Sequence, residues 1–138
     1  MPEIVQPPRF RLGPTSLARL FGVHPDLVKV VKHAITITPV DFGVTEGLRT
    51  LERQKALLAA KATTTLRSRH LTGHAVDLVA YLDGKVRWDW PLYHEIAGAM
   101  KTAAKELGIQ IEWGGDWQKF PDGPHFQLPW DVYPVKGS

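Results

Sequence analysis

Two histidines and an aspartate fall close together in Ser68-Arg69-His70-Leu71-Thr72-Gly73-His74-Ala75-Val76-Asp77-Leu78. Side chains of these types bind transition metals through imidazole nitrogen or carboxylate oxygen. A helix through the stretch would set His70, His74 and Asp77 on one face, at i, i+4 and i+7. A turn running into a strand would send His74 and Asp77 to opposite faces, so that only one could serve. The residues that follow favour the strand. Asp83-Gly84 separates the β-rich run Ala75–Leu82 from Lys85-Val86-Arg87-Trp88, and Asp-Gly between two such runs is a strong hairpin signal. A helix would have to carry Gly73 internally, at about 1 kcal/mol, together with two valines. On the strand, Asp77 shares a face with Ala75 and Val79, and His74 shares the other with Val76 and Leu78. His70 lies before the Thr72-Gly73 bend and is free to fold back. The expected pair is His70 with Asp77, and His74 is a bystander.

A catalytic metal site needs three protein ligands and an open position. The chain has no cysteine, which excludes thiolate ligands, disulfides and cysteine nucleophiles. The third candidate is His125, in Phe120-Pro121-Asp122-Gly123-Pro124-His125-Phe126-Gln127. Pro121, Gly123 and Pro124 define a turn that feeds a short strand and holds Asp122 near His125. A His, Asp, His set would bind Zn²⁺ and lower the pKa of its water to about 7. A carboxylate beside that water can take its proton and hand it to a leaving amine. Asp122 suits this role, because a nearby cation favours its ionised form. Each residue alone has an ordinary structural reading, and Asp122 in Pro-Asp-Gly-Pro could be only a turn residue. Their combination points to metal chemistry. His24, His33 and His94 read as non-ligands.

The elements that must position these groups can be placed coarsely. Leu27, Val28, Val30, Val31, Ala34 and Ile35 recur at helical spacing behind His24-Pro25-Asp26, which predicts a helix over about 26–36. Asp41–Arg49 reads as a short strand ending in a loop, and Thr50 as the N-cap of a helix through about Ala60. Asp89 or Trp90, with Pro91 in the first turn, opens a third helix whose Leu92, Ile96, Met100, Ala103 and Leu107 lie on one face; Gly108 is its C′ residue. Ile109–Trp113 and His125–Leu128 alternate like strands. The Pro-rich residues 1–14 read as an extended arm. With 138 residues, 43% of them hydrophobic, and no long linker, residues 1–138 are expected to form a single domain. No run of about 18 apolar residues is present, and the N-terminus lacks the pattern of a signal peptide. The net charge of +3, without a run of like charges, suits a soluble surface and would tolerate an anionic partner.

The pattern Ser68-x-His70-x-x-Gly73-x-Ala75-x-Asp77, with Asp122-x-x-His125 downstream, resembles the zinc peptidases that act on D-amino-acid peptides of the bacterial cell wall. These include D-alanyl-D-alanine dipeptidases and carboxypeptidases and the phage L-alanyl-D-glutamate endolysins. The resemblance covers roughly residues 25–128. It implies a small α+β domain of the type shared with the hedgehog signalling domain, with a mainly antiparallel sheet carrying the metal site and helices packed against it. It also implies Zn²⁺ held by His70, Asp77 and His125, with Asp122 as the catalytic carboxylate; many members have Glu there, and some endolysins Asp. Glu46-Gly47-Leu48-Arg49-Thr50, followed by Gln54, is similar to the family's Gly-x-Arg-Ser/Thr segment and following Gln. Arg49 would then grip a substrate carboxylate or carbonyl, as a guanidinium fork can. Trp113-Gly114-Gly115-Asp116-Trp117 resembles the family's segment before the last motif, which implies that Trp113 and Trp117 line the cleft. Ser68 would support the site or cap a loop.

The implied substrate is the peptidoglycan stem peptide, cleaved at L-alanyl-D-glutamate to lyse the host of a phage. No nucleic acid, no stable membrane association and a monomeric state are expected. The small size and lack of an export signal fit an endolysin held in the host cytoplasm until a holin releases it to the wall. Two alternatives stand beside this reading. One is the same chemistry on a D-alanyl-D-alanine bond, as a carboxypeptidase or dipeptidase. The other is a zinc-stabilised binding module without hydrolysis, although such a module has no need of Asp122.

Overall fold

Side-chain caps set the starts of two helices. In the computed structural model, which describes residues 9–61 and 68–134, His24 Nδ1 accepts from the Asp26 amide at the start of the helix Pro25–Ile37. Thr50 Oγ1 accepts from the Arg53 amide ahead of the helix Leu51–Ala59. In chain order the elements are α1 (Pro14–Arg19), α2 (Pro25–Ile37), β1 (Asp41–Glu46), α3 (Leu51–Ala59), a 3₁₀ turn (Arg69–Thr72), β2 (Ala75–Leu82), β3 (Lys85–Arg87), α4 (Trp90–Leu107), β4 (Glu112–Trp113), a second 3₁₀ turn (Gly114–Asp116) and β5 (His125–Gln127).

The fold is α+β. Its sheet runs β1-β2-β5-β4, with β3 added to β2 as a hairpin, and every pairing is antiparallel. Asp83 and Gly84 both take positive φ, 53° and 77°, the backbone that a two-residue hairpin turn requires. One register decides the site. Asp77 pairs with His125 on one side and with Glu46 on the other, where a bulge interrupts β1. Helices α2 and α4 supply the core, burying Leu27, Val30, Val31 and Ala34 against Ile96, Met100 and Ala103, with Val76, Leu78 and Phe126 from the sheet. Each of these side chains larger than alanine contributes about 1.5–3 kcal/mol by leaving water. His33 of α2 reaches Glu106 of α4 at 2.6 Å, so it ties the two helices together.

One expectation changes. Ile109-Gln110-Ile111 is not strand, and β4 is only Glu112–Trp113. The Ile109 amide bonds to Ala104 O as part of the left-handed Gly108 ending of α4, so the helix C-terminus takes the donor that a ladder would need. Residues 14–19 form a short helix, and Ser16 Oγ accepts from the Val44 amide at 3.0 Å. Of the expected arm, residues 1–8 lie outside the described residues, while Phe10 and Leu12 pack against the core. Among the described residues no helix is long and apolar enough to cross a membrane.

Candidate metal centre and its cleft

Ser68 Oγ accepts from the His70 amide at 3.2 Å and caps the 3₁₀ turn. Gly73 ends that turn at φ 74°, and a Cβ there would lie 2.3 Å from Gly22 O, so only glycine fits. The bend swings His70 back over β2 until its Nε2 is 3.2 Å from Asp77 Oδ1. His125 arrives on the neighbouring strand with Nδ1 3.3 Å from the same oxygen. One ligand atom from each of His70, Asp77 and His125 lies within 4.8 Å of the others. Both imidazoles are buried and Asp77 is half-buried.

The outer partners of these rings test whether a metal fits. His70 Nδ1 is 2.8 Å from Gly47 O. A carbonyl can only accept, so Nδ1 carries the proton and the neutral ring presents a lone pair at Nε2. His125 Nε2 is 2.7 Å from Gln127 Oε1, and the Gln127 amide nitrogen donates in turn to Glu112 at 3.3 Å. His125 therefore presents its lone pair at Nδ1. Two lone pairs and a carboxylate oxygen converge with no donor among them, which is stable only around a cation. Without a metal that cation is a proton. Burial opposes charge on His125, but the hydrogen bond and charge of Asp77 outweigh it and raise the His125 pKa. Burial likewise would raise the Asp77 pKa, yet hydrogen bonds from His125 and His70 hold it well below the usual carboxylate range. Imidazole nitrogens oriented by outer acceptors, plus one carboxylate, are what a divalent first-row metal takes.

The other expected residues fall around this cluster. Asp122 opens to solvent on the turn before His125. Partial desolvation, then the charge of Asp77, raise its pKa, while His125, His70 and Arg49 pull the other way. Arg49 Nε pairs with Glu46, its Nη1 donates to Gln54 at 2.7 Å and reaches Ser68 Oγ at 3.5 Å, and its Nη2 lies 3.9 Å from Asp77 Oδ2. Gln54 is fully buried, so it orients Arg49 from beneath and does not face the cleft. The Trp117 ring is 5.1 Å from that of His125, within reach of the cleft. Trp113 is a correction: it is 3% exposed and lines nothing open. Its indole N–H donates to Gly123 O at 2.7 Å. Gly114 O accepts from the Asp122 amide, and a Cβ on Gly114 would lie 2.4 Å from Asp122 O. This segment is the template on which the Asp122–His125 turn rests.

Sequence reasoning passed over Glu46, Glu112 and Gln127. Gln127 was within reach, since it shares a strand face with His125 at i+2. Glu112 required the β4–β5 register.

His74 stands apart. Its ring sits 5.4 Å from His24 and 6.4 Å from Tyr133, and Thr72 Oγ1 is 2.6 Å from its Nδ1. Burial, then the charges of Arg69 and His24, lower its pKa, with only a hydrogen bond to the Thr72 backbone opposing. A histidine that resists protonation in the fold gives stability that is complete above its unfolded pKa of about 6.5 and declines as pH falls below it. His74→Gln should therefore spare turnover and flatten the loss of melting temperature between neutral and mildly acidic pH. Melts of both proteins across that range, with rates at neutral pH, check both halves.

The phage L-alanyl-D-glutamate peptidase family model matches residues 9–128. The chain is 36% identical to the L-alanyl-D-glutamate peptidase of Escherichia phage T5, over 82% of this chain and 85% of that one. It is 40% identical to the L-alanyl-D-glutamate peptidase of Listeria phage A118, over 68% of this chain but 32% of that longer protein. Among solved structures, Serratia marcescens L-Ala D-Glu endopeptidase ChiX superposes with a TM-score of 0.85 at 52% identity, covering 88% of this chain and 92% of that one. The vancomycin-resistance D,D-dipeptidase VanXYg shares the fold at 22% identity, with a TM-score of 0.51 over 77% of this chain and 50% of that one. With a family match spanning most of its length and a relative of similar size above 30% identity, the chain belongs to the phage L-alanyl-D-glutamate peptidase family.

Proposed function

We propose that the protein is a zinc peptidase that hydrolyses the L-alanyl-D-glutamate bond of the peptidoglycan stem, with residues 1–138 working as one catalytic domain. The observation that carries this reading is the convergence of the His70 and His125 lone pairs on Asp77 Oδ1. His70, Asp77 and His125 would hold the ion. A zinc ion there supplies Lewis acidity, polarising a carbonyl and acidifying water at neutral pH. Asp122 takes the proton from the attacking water and returns it to the leaving D-glutamyl amine. Its raised proton affinity in the metal-free cluster suits a group that must both accept and release. Arg49, held by Glu46, Gln54 and Ser68, offers a pre-oriented guanidinium to a substrate carboxylate. Trp117 flanks the same opening. The protein acts as a monomer on the cell wall, reached from the host cytoplasm by holin-type release, as expected of a phage endolysin.

Incubation with a defined muropeptide, with and without chelator, tests the reading by mass spectrometry. A new D-glutamyl N-terminus, lost on chelation and restored by Zn²⁺, is the expected product. Release of D-alanine instead would assign D-alanyl-D-alanine chemistry, and no cleavage by metal-loaded protein would leave a binding module.

A further inference from the structure

The tautomer of His125 hangs on the orientation of one side-chain amide. Gln127 Oε1 lies 2.7 Å from His125 Nε2. In that orientation the neutral ring carries its proton on Nε2 and keeps Nδ1 open towards Asp77. A carboxamide is nearly symmetric in shape, however. Turned end for end, Gln127 would donate from its NH₂ group to Nε2 and shift the ring proton to Nδ1. The metal-free fold would reward that state. His125 Nδ1 stands 3.3 Å from Asp77 Oδ1, so the shifted proton would make a charge-assisted hydrogen bond to the carboxylate, which is the stronger kind. It would also close the position that a metal needs. Some group must hold the amide the other way round.

Glu112 is placed to do so. Strands β4 and β5 pair with Glu112 directly opposite Gln127, and side chains so paired stand on one face with Cβ atoms about 4.5–5.5 Å apart. Gln127 Nε2 donates to Glu112 Oε2 at 3.3 Å. An ionised carboxylate has acceptors only, so it takes the NH₂ end of the amide and repels the carbonyl end. Gln127 is buried, and so is Ala75, its partner on the β2 side; water has little room to replace Glu112. The carboxylate has a second effect. Burial lowers the Arg69 pKa, and the charge of Glu112 opposes it. That effect bears on the fold and not on the amide, so the two roles can be separated.

We propose that Glu112 is a positioning residue of the metal centre: by fixing the Gln127 amide it selects the His125 tautomer whose Nδ1 is free to bind. The inference rests on the reading of His70, Asp77 and His125 as ligands. Glu112→Gln tests it, because it keeps the shape but can offer either end of an amide to Gln127. Two measurements are made on each purified protein. One is zinc affinity, by competition with a chromophoric chelator. The other is nitrogen NMR of the histidine rings in metal-free protein at alkaline pH, which tells a protonated ring nitrogen from a bare one. Wild type should show His125 protonated on Nε2 alone, and Glu112→Gln a mixture of tautomers. Apparent affinity falls with the fraction in the competent state, so zinc should bind about threefold to tenfold more weakly, less than the loss of a direct outer partner costs. Adding Gln127→Glu to Glu112→Gln should restore both readouts: the carboxylate at 127 accepts from His125, and the amide at 112 donates to it. Wild-type tautomer and affinity in Glu112→Gln, even with a lower melting temperature, would overturn the proposal and leave Glu112 to Arg69 alone. A double variant no better than the single one would overturn it too. Should Glu112→Gln not fold, the double variant carries the test, and it should bind zinc more tightly than Gln127→Leu; equal or weaker binding counts against the relay. Failure of the wild type to bind zinc would instead sink the metal reading, and this proposal with it.

Discussion

Single replacement of His70, Asp77 or His125 by alanine is expected to reduce hydrolysis to background and to empty the site of metal. The geometry makes the three changes equivalent. His70 Nε2 and His125 Nδ1 both face Asp77 Oδ1, at 3.2 and 3.3 Å, so each ligand completes the coordination of the other two. Loss of an outer partner of a metal-binding histidine typically costs 10–100-fold in affinity or activity; loss of a ligand should exceed that. Gln127→Leu, which removes the outer partner of His125 while keeping the ligand, should fall in that intermediate range. Elemental analysis of each purified variant, beside its rate on a defined muropeptide, gives both readouts. Equal damage from His74→Ala and His70→Ala would refute the assignment, because His74 lies in the separate cluster with His24 and Tyr133.

How much of this was legible in the sequence depended on the range of the interaction. Asp83-Gly84 and the Thr72-Gly73 bend are local backbone instructions, and both operate as read. Those two features separate His70 from His74, since the bend frees one ring and the strand's alternation assigns the other to the wrong face. Caps at Thr50 and the left-handed Gly108 were equally local. The failures are long-range. Ile109–Trp113 alternates as a strand should, but the end of α4 takes the Ile109 amide. The resemblance of Trp113-Gly114-Gly115-Asp116-Trp117 to the family's segment implies a cleft-lining Trp113, whereas the ring is buried. Gly114 lets the Asp122–His125 turn approach the backbone, Gly115 leaves room for the Trp113 ring, and the indole is used to hold Gly123 O.

Arg69 is the clearest case of what alternation and motif could not show. It sits beside His70 in the sequence and is 2% exposed. Its Nε donates to Leu128 O and its Nη2 to Pro129 O and Tyr133 O, while its guanidinium lies 4.4 Å from the Trp130 ring. It joins the turn carrying His70 to the chain just beyond His125. Nothing near Arg69 in the sequence announces carbonyl partners some sixty residues downstream.

Asp122→Asn should lower kcat by about 10²–10⁴, the usual worth of a positioned general acid–base group, with metal content unchanged. Asparagine keeps the size and the turn of Asp122, so the His125 backbone need not move, and the loss can be referred to the carboxylate. The direction of its pKa gives a second, independent signature. Partial desolvation and the charge of Asp77 raise it, so the metal-free fold holds that proton more tightly than the unfolded chain does. Stability from this group is then present at low pH and lost as pH rises through the raised value. At neutral pH the metal-free Asp122→Asn protein should therefore be at least as stable as the wild type, while the metal-loaded enzyme is far slower. Catalysis needs the ionised form as base, so wild-type activity should fall as pH drops through that same group, and the variant's residual rate should lack that limb. Asp122→Glu, which keeps a carboxylate, should recover part of the rate. Full turnover in Asp122→Asn, or loss of its metal, would remove Asp122 from the proton path and leave the water to be activated by the ion alone.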